Sequence, residues 1–136
     1  MSTKAIRQAL IDHIDTLAYS PLPDIVKPKQ PYKPTVGRSY LELVFQPNET
    51  ISPFVGNGDP HQQQGFLQVT FVAPRVGDND DWGLIDAVIN HYRKGTVLRR
   101  DGETVKIIRQ PWTSPPFPDE GWERTPISIP YFSMTY

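Results

Sequence analysis

Side chains able to do catalytic or metal chemistry are few and widely spaced in this chain. The three histidines are His13, His61 and His91. No two of them have the i, i+4 spacing of a zinc-binding helix, and none lies near a glutamate as that motif requires. There is no cysteine, which excludes thiol nucleophiles, disulfides and thiolate metal sites. His13 and His91 lie beside apolar stripes of predicted helices and His61 in a polar loop, so structural and solvated roles explain them. We therefore expect no catalytic residue, no cofactor and no metal ligand.

Two short motifs resemble binding loops only in part. The run Asp78-Asn79-Asp80-Asp81 loses the alternation of a calcium loop at Trp82, and capping of the following helix explains its acids. Gly56-Asn57-Gly58 lacks the third glycine of a dinucleotide-binding loop, and no helix is predicted to open after it. Both runs are typical of turns.

The second half of the chain is rich in cations at alternating positions of a predicted hairpin. They are Lys94, Arg99, Arg100, Lys106, Arg109 and Arg124. Such a stripe could meet a carboxylate or a phosphate. An ordinary solvated face, balanced by Asp101, Glu103 and Glu123, explains the same residues more simply.

Length and composition limit the remaining possibilities. With 136 residues the chain is expected to form one domain, residues 1–136. Its net charge of −1 gives no strong field for nucleic acid or an anionic membrane, and no apolar run is long enough to span a bilayer. No signal peptide opens the chain, so we expect a protein of a reducing compartment.

Apolar periodicity predicts two helices and five strands. The helices are expected at 3–19 and from about 80 to 92, and the strands at 39–46, 65–73, 96–99, 104–109 and 122–132. The turn Arg100-Asp101-Gly102-Glu103 between the third and fourth strands is a strong hairpin signal. The order α-β-β-α-β-β-β predicts an α+β fold: a mostly antiparallel β-sheet of about five strands with two α-helices packed on one face.

Prolines, 15 in all, shape the predicted connections. A proline-rich strap covers residues 21–38, either as a surface connection or as an arm lying on a neighbouring subunit. A long polar loop covers 48–64, and a second proline-rich loop covers 111–118. Pro126 and Pro130 lie four residues apart, so both missing N–H groups point to one side, and the last strand is expected to be an edge strand or bulged.

As a whole, the chain resembles the tail terminator (tail completion) proteins of long-tailed bacteriophages. The likeness spans roughly residues 3–132 and depends on the order of the following stretches more than on any single one. They are the helix Lys4–Leu10, the strand Tyr40–Leu43, the segment Gln64–Val69 with Ala73-Pro74, the turn Lys94-Gly95-Thr96, and the closing strand Gly121–Tyr131.

This resemblance implies a structural virion protein without catalysis. Its relatives form a ring, commonly a hexamer, that stacks on the last ring of tail-tube protein, ends tube polymerisation and offers a surface to the head-completion or connector protein. The protein would be located in the virion tail, assembled in the host cytoplasm, and a free subunit can be a monomer that closes into a ring on its template. No nucleic-acid or membrane partner is implied.

Exposed polar loops are our candidates for the contacts with the neighbouring rings. The candidate partner-interface residues are Asn57, Asp59, His61, Gln62 and Gln63 in the polar loop, and Arg99, Arg100, Asp101 and Glu103 at the hairpin tip.

Three other functions remain open from the sequence. The first is another ring-forming virion protein, a head–tail connector or neck protein. The second is a small cytoplasmic ligand-binding or enzymatic α+β domain that uses His61 and Arg100 around a pocket. The third, a nucleic-acid binder, is disfavoured by the net charge of −1.

Overall fold

A computed structural model describes residues 3–19, 23–28, 33, 38–47, 61–74, 82–100 and 102–135. The predicted α+β class with a mostly antiparallel sheet is confirmed. The elements are α1 (Thr3–His13), a 3-10 turn (Ile14–Thr16), β1 (Asp24–Val26), β2 (Tyr40–Pro47), β3 (His61–Pro74), α2 (Trp82–His91), β4 (Val97–Arg100), β5 (Glu103–Lys106), β6 (Trp112–Thr113), β7 (Phe117–Asp119) and β8 (Trp122–Thr135).

The described residues form a curled sheet of eight strands, so the predicted count of about five is wrong. The strand order is β1-β2-β3-β8-β5-β4, and β6 and β7 also pair with β8. The three missed strands, β1, β6 and β7, have only two or three residues each and lie in the two proline-rich segments. Strands of two or three residues are too short to show apolar alternation, so periodicity did not detect them.

The first helix is shorter than predicted. It ends at His13, and a 3-10 turn follows over Ile14–Thr16 instead of helix to Tyr19. The Thr16 hydroxyl donates to the His13 carbonyl at 2.7 Å, and Leu17 is already extended, with φ −63° and ψ 122°. A local hydrogen bond from threonine thus replaces the next helical turn before any proline is reached.

The second helix ends at His91, four residues before the glycine expected to cap it, although that glycine has the positive φ expected of it. Gly95 adopts φ +95°, a conformation that glycine accepts and other residues rarely do. Its N–H donates to the Ile107 carbonyl at 2.8 Å, and the Ile107 N–H donates to the Thr96 carbonyl at 2.9 Å. The segment after α2 is therefore fixed to the chain that leaves β5.

Alternate residues of β2, β3 and β8 form the main core together with both helices. Its fully buried members include Ile6, Leu10, Leu41, Leu43, Leu67, Val69, Leu84, Val88, Ile127 and Ile129. We call the face of the sheet that carries these core residues the inner face, and the opposite one the outer face. The helix packing is less uniform than predicted, since α1 lies along β4 and β5, whereas α2 approaches β8.

The last strand is central, so the prediction that it is an edge or bulged strand is wrong. It pairs without interruption with all of β3, from Trp122 opposite Pro74 to Thr135 opposite His61. On its other side it meets β7, β6 and β5 in turn. The Pro126 carbonyl accepts the Ser114 N–H at 2.9 Å, so Pro126, and Pro130 four residues later, direct their missing N–H groups towards these short partners. The interrupted pairing tolerates both gaps.

Two predicted connections also contain strand. His61, Gln62 and Gln63, expected in the polar loop, begin β3 and pair with β8. Within the strap, β1 pairs in parallel with β2, and Val26 packs in a small cluster with Tyr40 and Val72. The rest of the polar loop, residues 48–60, lies outside the described residues, as do most of the strap and the run at 78–81. Neither described helix is long and apolar enough to cross a membrane.

Candidate interaction surface

One end of the sheet brings together two segments that the sequence singled out. The first residues of β3 pair there with the last residues of β8, His61 with Thr135 and Gln63 with Ser133. The Ser133 hydroxyl donates to the Thr104 carbonyl of β5 at 2.7 Å. The tip of the β4–β5 hairpin and residues 61–63 therefore lie at the same end of the sheet, on either side of β8.

The hairpin forms as its Asp-Gly pair predicts. Arg100 lies opposite Glu103, and Gly102 has φ +82°, as the second turn residue of such a hairpin requires. Asp101 lies outside the described residues, and so do Asn57 and Asp59. The side chains of His61, Gln62 and Gln63 are also outside the described part, so only the backbone positions of these three candidates are established.

Arg100 and Glu103 are engaged within the chain. Arg100 Nη1 lies 2.6 Å from Asp12 Oδ2, which ties the hairpin to α1 across a sequence separation of 88. The other carboxylate oxygen of Asp12 accepts from Gln8 Nε2 at 2.7 Å. The Glu103 side chain is only 9% exposed. Of the hairpin candidates whose side chains are described, Arg99 is the exposed residue without an ion pair in the described part of the chain.

Arg99 belongs to a wider surface of cations and large apolar side chains. We call it the basic–aromatic surface and define it by Arg99, Lys106, Arg109, Val97, Ile108 and Trp112, all of them exposed. Leu98 and Val105 of this hairpin point into the core, so their neighbours Val97 and Lys106 lie on the outer face. The surface is built mainly from the hairpin and the segment that follows it.

Trp112 is held in place within this surface. Its ring meets Phe66 of β3 edge to face, with centroids 5.9 Å apart and an interplanar angle of 87°. The Arg109 guanidinium carbon lies 5.2 Å from the centroid of the Trp112 ring, a cation–π distance. No specific sequence signal indicates this arrangement, because Trp112 falls in a proline-rich segment and Phe66 is 46 residues away.

A different set of charges lies at the opposite end of the sheet, where β7 turns into β8. Glu120 has φ +46° and Gly121 φ +85° in this turn, and Glu120 is exposed. Phe117 is 46% exposed, and Glu123 is half-buried. We define the acidic tip by Phe117, Glu120 and Glu123.

Arg124, beside this tip, is neutralised internally. Its Nε donates to Asp119 Oδ2 at 2.7 Å, and its Nη1 lies 3.5 Å from Glu42 Oε1. Burial alone would lower the pKa of Arg124, but the hydrogen bond to Asp119 and the charge of Glu42 raise it overall. Arg124 therefore stays charged and compensates two carboxylates of this region.

Two histidines meet where the two helices end. The rings of His13 and His91 stack with centroids 3.9 Å apart, and burial is the main cause that lowers the pKa of His13. A pocket of about 470 Å³ beside them is also lined by Arg93, Lys94 and Thr96. Among the described residues no group of three or more histidines or carboxylates could hold a metal ion. Of the two residues that the ligand-binding alternative uses, Arg100 pairs with Asp12, and the His61 side chain lies outside the described part of the chain.

Comparison with known proteins identifies a relationship over almost the whole chain. A family model described as phage tail terminator protein matches residues 5–131. One solved structure, of a protein whose name carries no functional description, has a TM-score of 0.79 and 22% sequence identity, and the alignment covers 100% of this chain and 98% of that one. At that identity the likeness supports the fold alone. The comparison with curated proteins gives no match.

Proposed function

Because the chain belongs to the phage tail terminator protein family, we propose that it caps the tail tube as a ring, ends tube polymerisation and forms the surface to which the head is joined. The family establishes a structural role in the phage tail. We add three parts to that role: the ring, the step that ends tube growth, and head joining. We propose that the ring is a hexamer of single-domain subunits. The partners are the tail-tube protein on one side and a head-completion or connector protein on the other.

The observation that carries this proposal is the extent of the family match. Residues 5–131 include both helices and all strands except the first two residues of α1 and the last four residues of β8. Every residue of the main core lies within this range, and so do the candidate loops. We infer that the whole chain, not one of its segments, performs the family's role.

The geometry supports one end of the sheet as the surface that contacts a neighbouring ring. The β4–β5 hairpin tip and the start of β3 lie together there, and the 13 residues from 48 to 60 connect into the same end, since they join Pro47 to His61. Segments that project from a rigid sheet edge are well placed to contact a partner without disturbing the core. We propose that this end contacts the tail tube or the head-completion protein.

Tube growth provides the test. Purified tail-tube protein is allowed to polymerise with and without this chain, and tube lengths are measured by negative-stain microscopy. We expect tubes that stop growing once the chain is added, and tubes capped at one end that fail to elongate with fresh tube protein. Unaltered growth, together with binding to a head-completion protein, would move the assignment to a neck protein. Unaltered growth with no binding to either partner would contradict a tail or neck role.

A further inference from the structure

The ring proposed above requires each subunit to carry two different surfaces that fit each other. In a closed ring without two-fold axes between neighbours, contacts are heterologous, so one surface of a subunit meets another surface of the next copy. The inference that follows rests on the proposed ring and identifies these two surfaces.

The basic–aromatic surface combines three cations with an exposed tryptophan. Among the described residues, Arg99, Lys106 and Arg109 form no ion pair. Lys27 and Arg100 pair with Asp15 and Asp12, whereas Arg93 and Lys94 after α2 are exposed and, in the described part of the chain, also form no ion pair. An exposed tryptophan beside Arg109, with Lys106 and Arg99 on the neighbouring hairpin, is suited to a partner that offers carboxylates and an apolar side chain.

The acidic tip offers that chemistry. Glu120 is exposed and Glu123 half-buried, and neither is in an ion pair within the described part of the chain. Phe117, 46% exposed, provides the apolar side chain. The tip is a tight hairpin, with backbone pairing that extends as far as Asp119 and Trp122.

Within one subunit the acidic tip lies far from Lys106, at the distant end of the basic–aromatic surface. The acidic tip lies at Trp122, the first residue of β8, whereas Lys106 lies opposite Phe132, ten residues further along the same strand. At a rise of about 3.3 Å per residue this is roughly 33 Å of strand. A second copy, displaced along the ring, can bring its tip to Lys106, which the tip of the first copy does not reach.

We propose that the acidic tip of one subunit docks on the basic–aromatic surface of the next copy, and that this contact, repeated head to tail, closes the ring. Phe117 packs against Trp112, and the carboxylate of Glu120 in the turn faces Arg99, Lys106 and Arg109. Glu123 lies on the opposite face from Phe117 and adds negative charge at the edge of the contact. The contact is charge-steered, so ring closure weakens as salt rises.

Site-specific cross-linking tests the contact, because the wild-type chain has no cysteine. One variant carries Glu120→Cys and another carries Lys106→Cys, and each is added alone or mixed to tail tubes lacking their upper end, followed by a short bismaleimide. We expect a cross-linked dimer in the mixture and none with either variant alone. A chain with both substitutions should give a ladder that ends at the ring number. Lys4→Cys, exposed on α1, replaces Lys106→Cys in the control mixture and should give no dimer.

Charge reversal provides an independent readout. The surface variant carries Lys106→Glu and Arg109→Glu, and the tip variant carries Glu120→Lys and Glu123→Lys. Each alone should cap tubes about tenfold less efficiently or worse, because like charges then face each other. Mixing the two variants, or combining all four substitutions in one chain, restores opposite charges at every contact and should restore capping.

Two results would overturn this interface, and they differ from failure of the proposed function. If the wild-type chain caps tubes and both reversed variants cap them equally well, the proposed function stands and the proposed interface is wrong. A dimer formed by Glu120→Cys alone would show a symmetric contact and remove it too. Wild-type chain that neither caps tubes nor assembles on them would contradict the proposed function itself.

Discussion

His13 and His91 stack against each other and exchange hydrogen bonds where the two helices end. Their planes are 9° apart, His13 Nε2 lies 2.9 Å from the His91 carbonyl oxygen, and His91 Nε2 lies 2.7 Å from the His13 carbonyl oxygen. A carbonyl can only accept, so each ring carries its proton on Nε2. Each imidazole thereby satisfies a carbonyl near the C-terminal end of the other helix. The pair joins α1 to α2.

The free energy of unfolding should fall in mild acid because of this histidine pair. Burial is the main cause that lowers the pKa of His13, the charge of His91 lowers it further, and the backbone hydrogen bond to His91 only partly opposes them. The unfolded chain therefore binds more protons than the folded one as pH falls through about 6.5, so stability is full above that pH and is lost below it.

Thermal unfolding measured between pH 7.5 and 5 checks this. His13→Gln keeps a side-chain donor but cannot titrate, so its unfolding temperature should depend less steeply on pH than that of the wild-type chain. Equal slopes for the two chains would show that the stacked pair does not set the acid sensitivity.

The hydroxyl of Tyr92 should contribute measurably to stability. This fully buried side chain donates to the Leu10 carbonyl at 2.6 Å, a second link between α2 and α1. Tyr92→Phe removes the hydroxyl donor, so the buried Leu10 carbonyl loses this hydrogen bond. The free energy of unfolding should fall by about 1–3 kcal/mol. Urea denaturation measures the loss.

Tyr131→Phe is the matched control for Tyr92→Phe. Tyr131 is 1% exposed, and burial raises the pKa of its hydroxyl to about 12, yet that hydroxyl makes no hydrogen bond within the described part of the chain. Its removal should change the free energy of unfolding little. A loss equal to that of Tyr92→Phe would mean that the Leu10 bond is not the cause.

The ion pair that anchors the hairpin should be weak despite its short distance. Arg100 and Asp12 are 44% and 37% exposed, so water and side-chain entropy offset most of the attraction. A double-mutant cycle with Arg100→Ala and Asp12→Ala should give a coupling energy of about 0.2–1 kcal/mol. A coupling well above this would mean that the hairpin position depends on the pair.

Gly95 should be hard to replace for reasons of backbone alone. An added Cβ would meet nothing within 4 Å, but φ is +95°. Gly95→Ala should therefore lower the free energy of unfolding by about 1–2 kcal/mol. Gly95→Asn should cost less, because asparagine tolerates positive φ better. Equal losses for the two variants would contradict this backbone explanation.

The segment between β2 and β3 should be needed for tail joining but not for folding. A deletion of residues 54–58 leaves the β3 residues from His61 onward to pair with β8, whereas a cut that included His61 to Gln63 would remove part of that pairing. We expect circular dichroism and unfolding temperature close to those of the wild-type chain, together with a loss of infectivity. Full infectivity of the deletion would exclude this segment as a required contact.

Much of the fold follows from local rules that the chain obeys. Alternation on β2 and β3, the Asp-Gly hairpin and the positive φ of Gly95 are each decided within a few residues, and all three agree with the structure. Where a feature depends on which distant strands pair, local sequence patterns did not predict it. Pro126 and Pro130 are compatible with a central strand only because the partner on their side is divided among β5, β6 and β7.

The candidate site shows the same limit. Arg99 and Arg100 are neighbours in sequence and equally plausible contacts, but only Arg100 meets Asp12, 88 residues away. Glu103 is buried although its sequence context is a polar turn. The association of Phe66, Arg109 and Trp112 depends on β6 pairing with β8, which no short-range pattern indicates.

The most direct test of the central claim is negative-stain microscopy of tail tubes that lack their upper end, with and without the purified chain. We predict an added density at one end only, with the ring symmetry of the tube beneath it, and no density along the tube wall. Tubes whose two ends remain identical and uncapped at saturating protein would contradict the account.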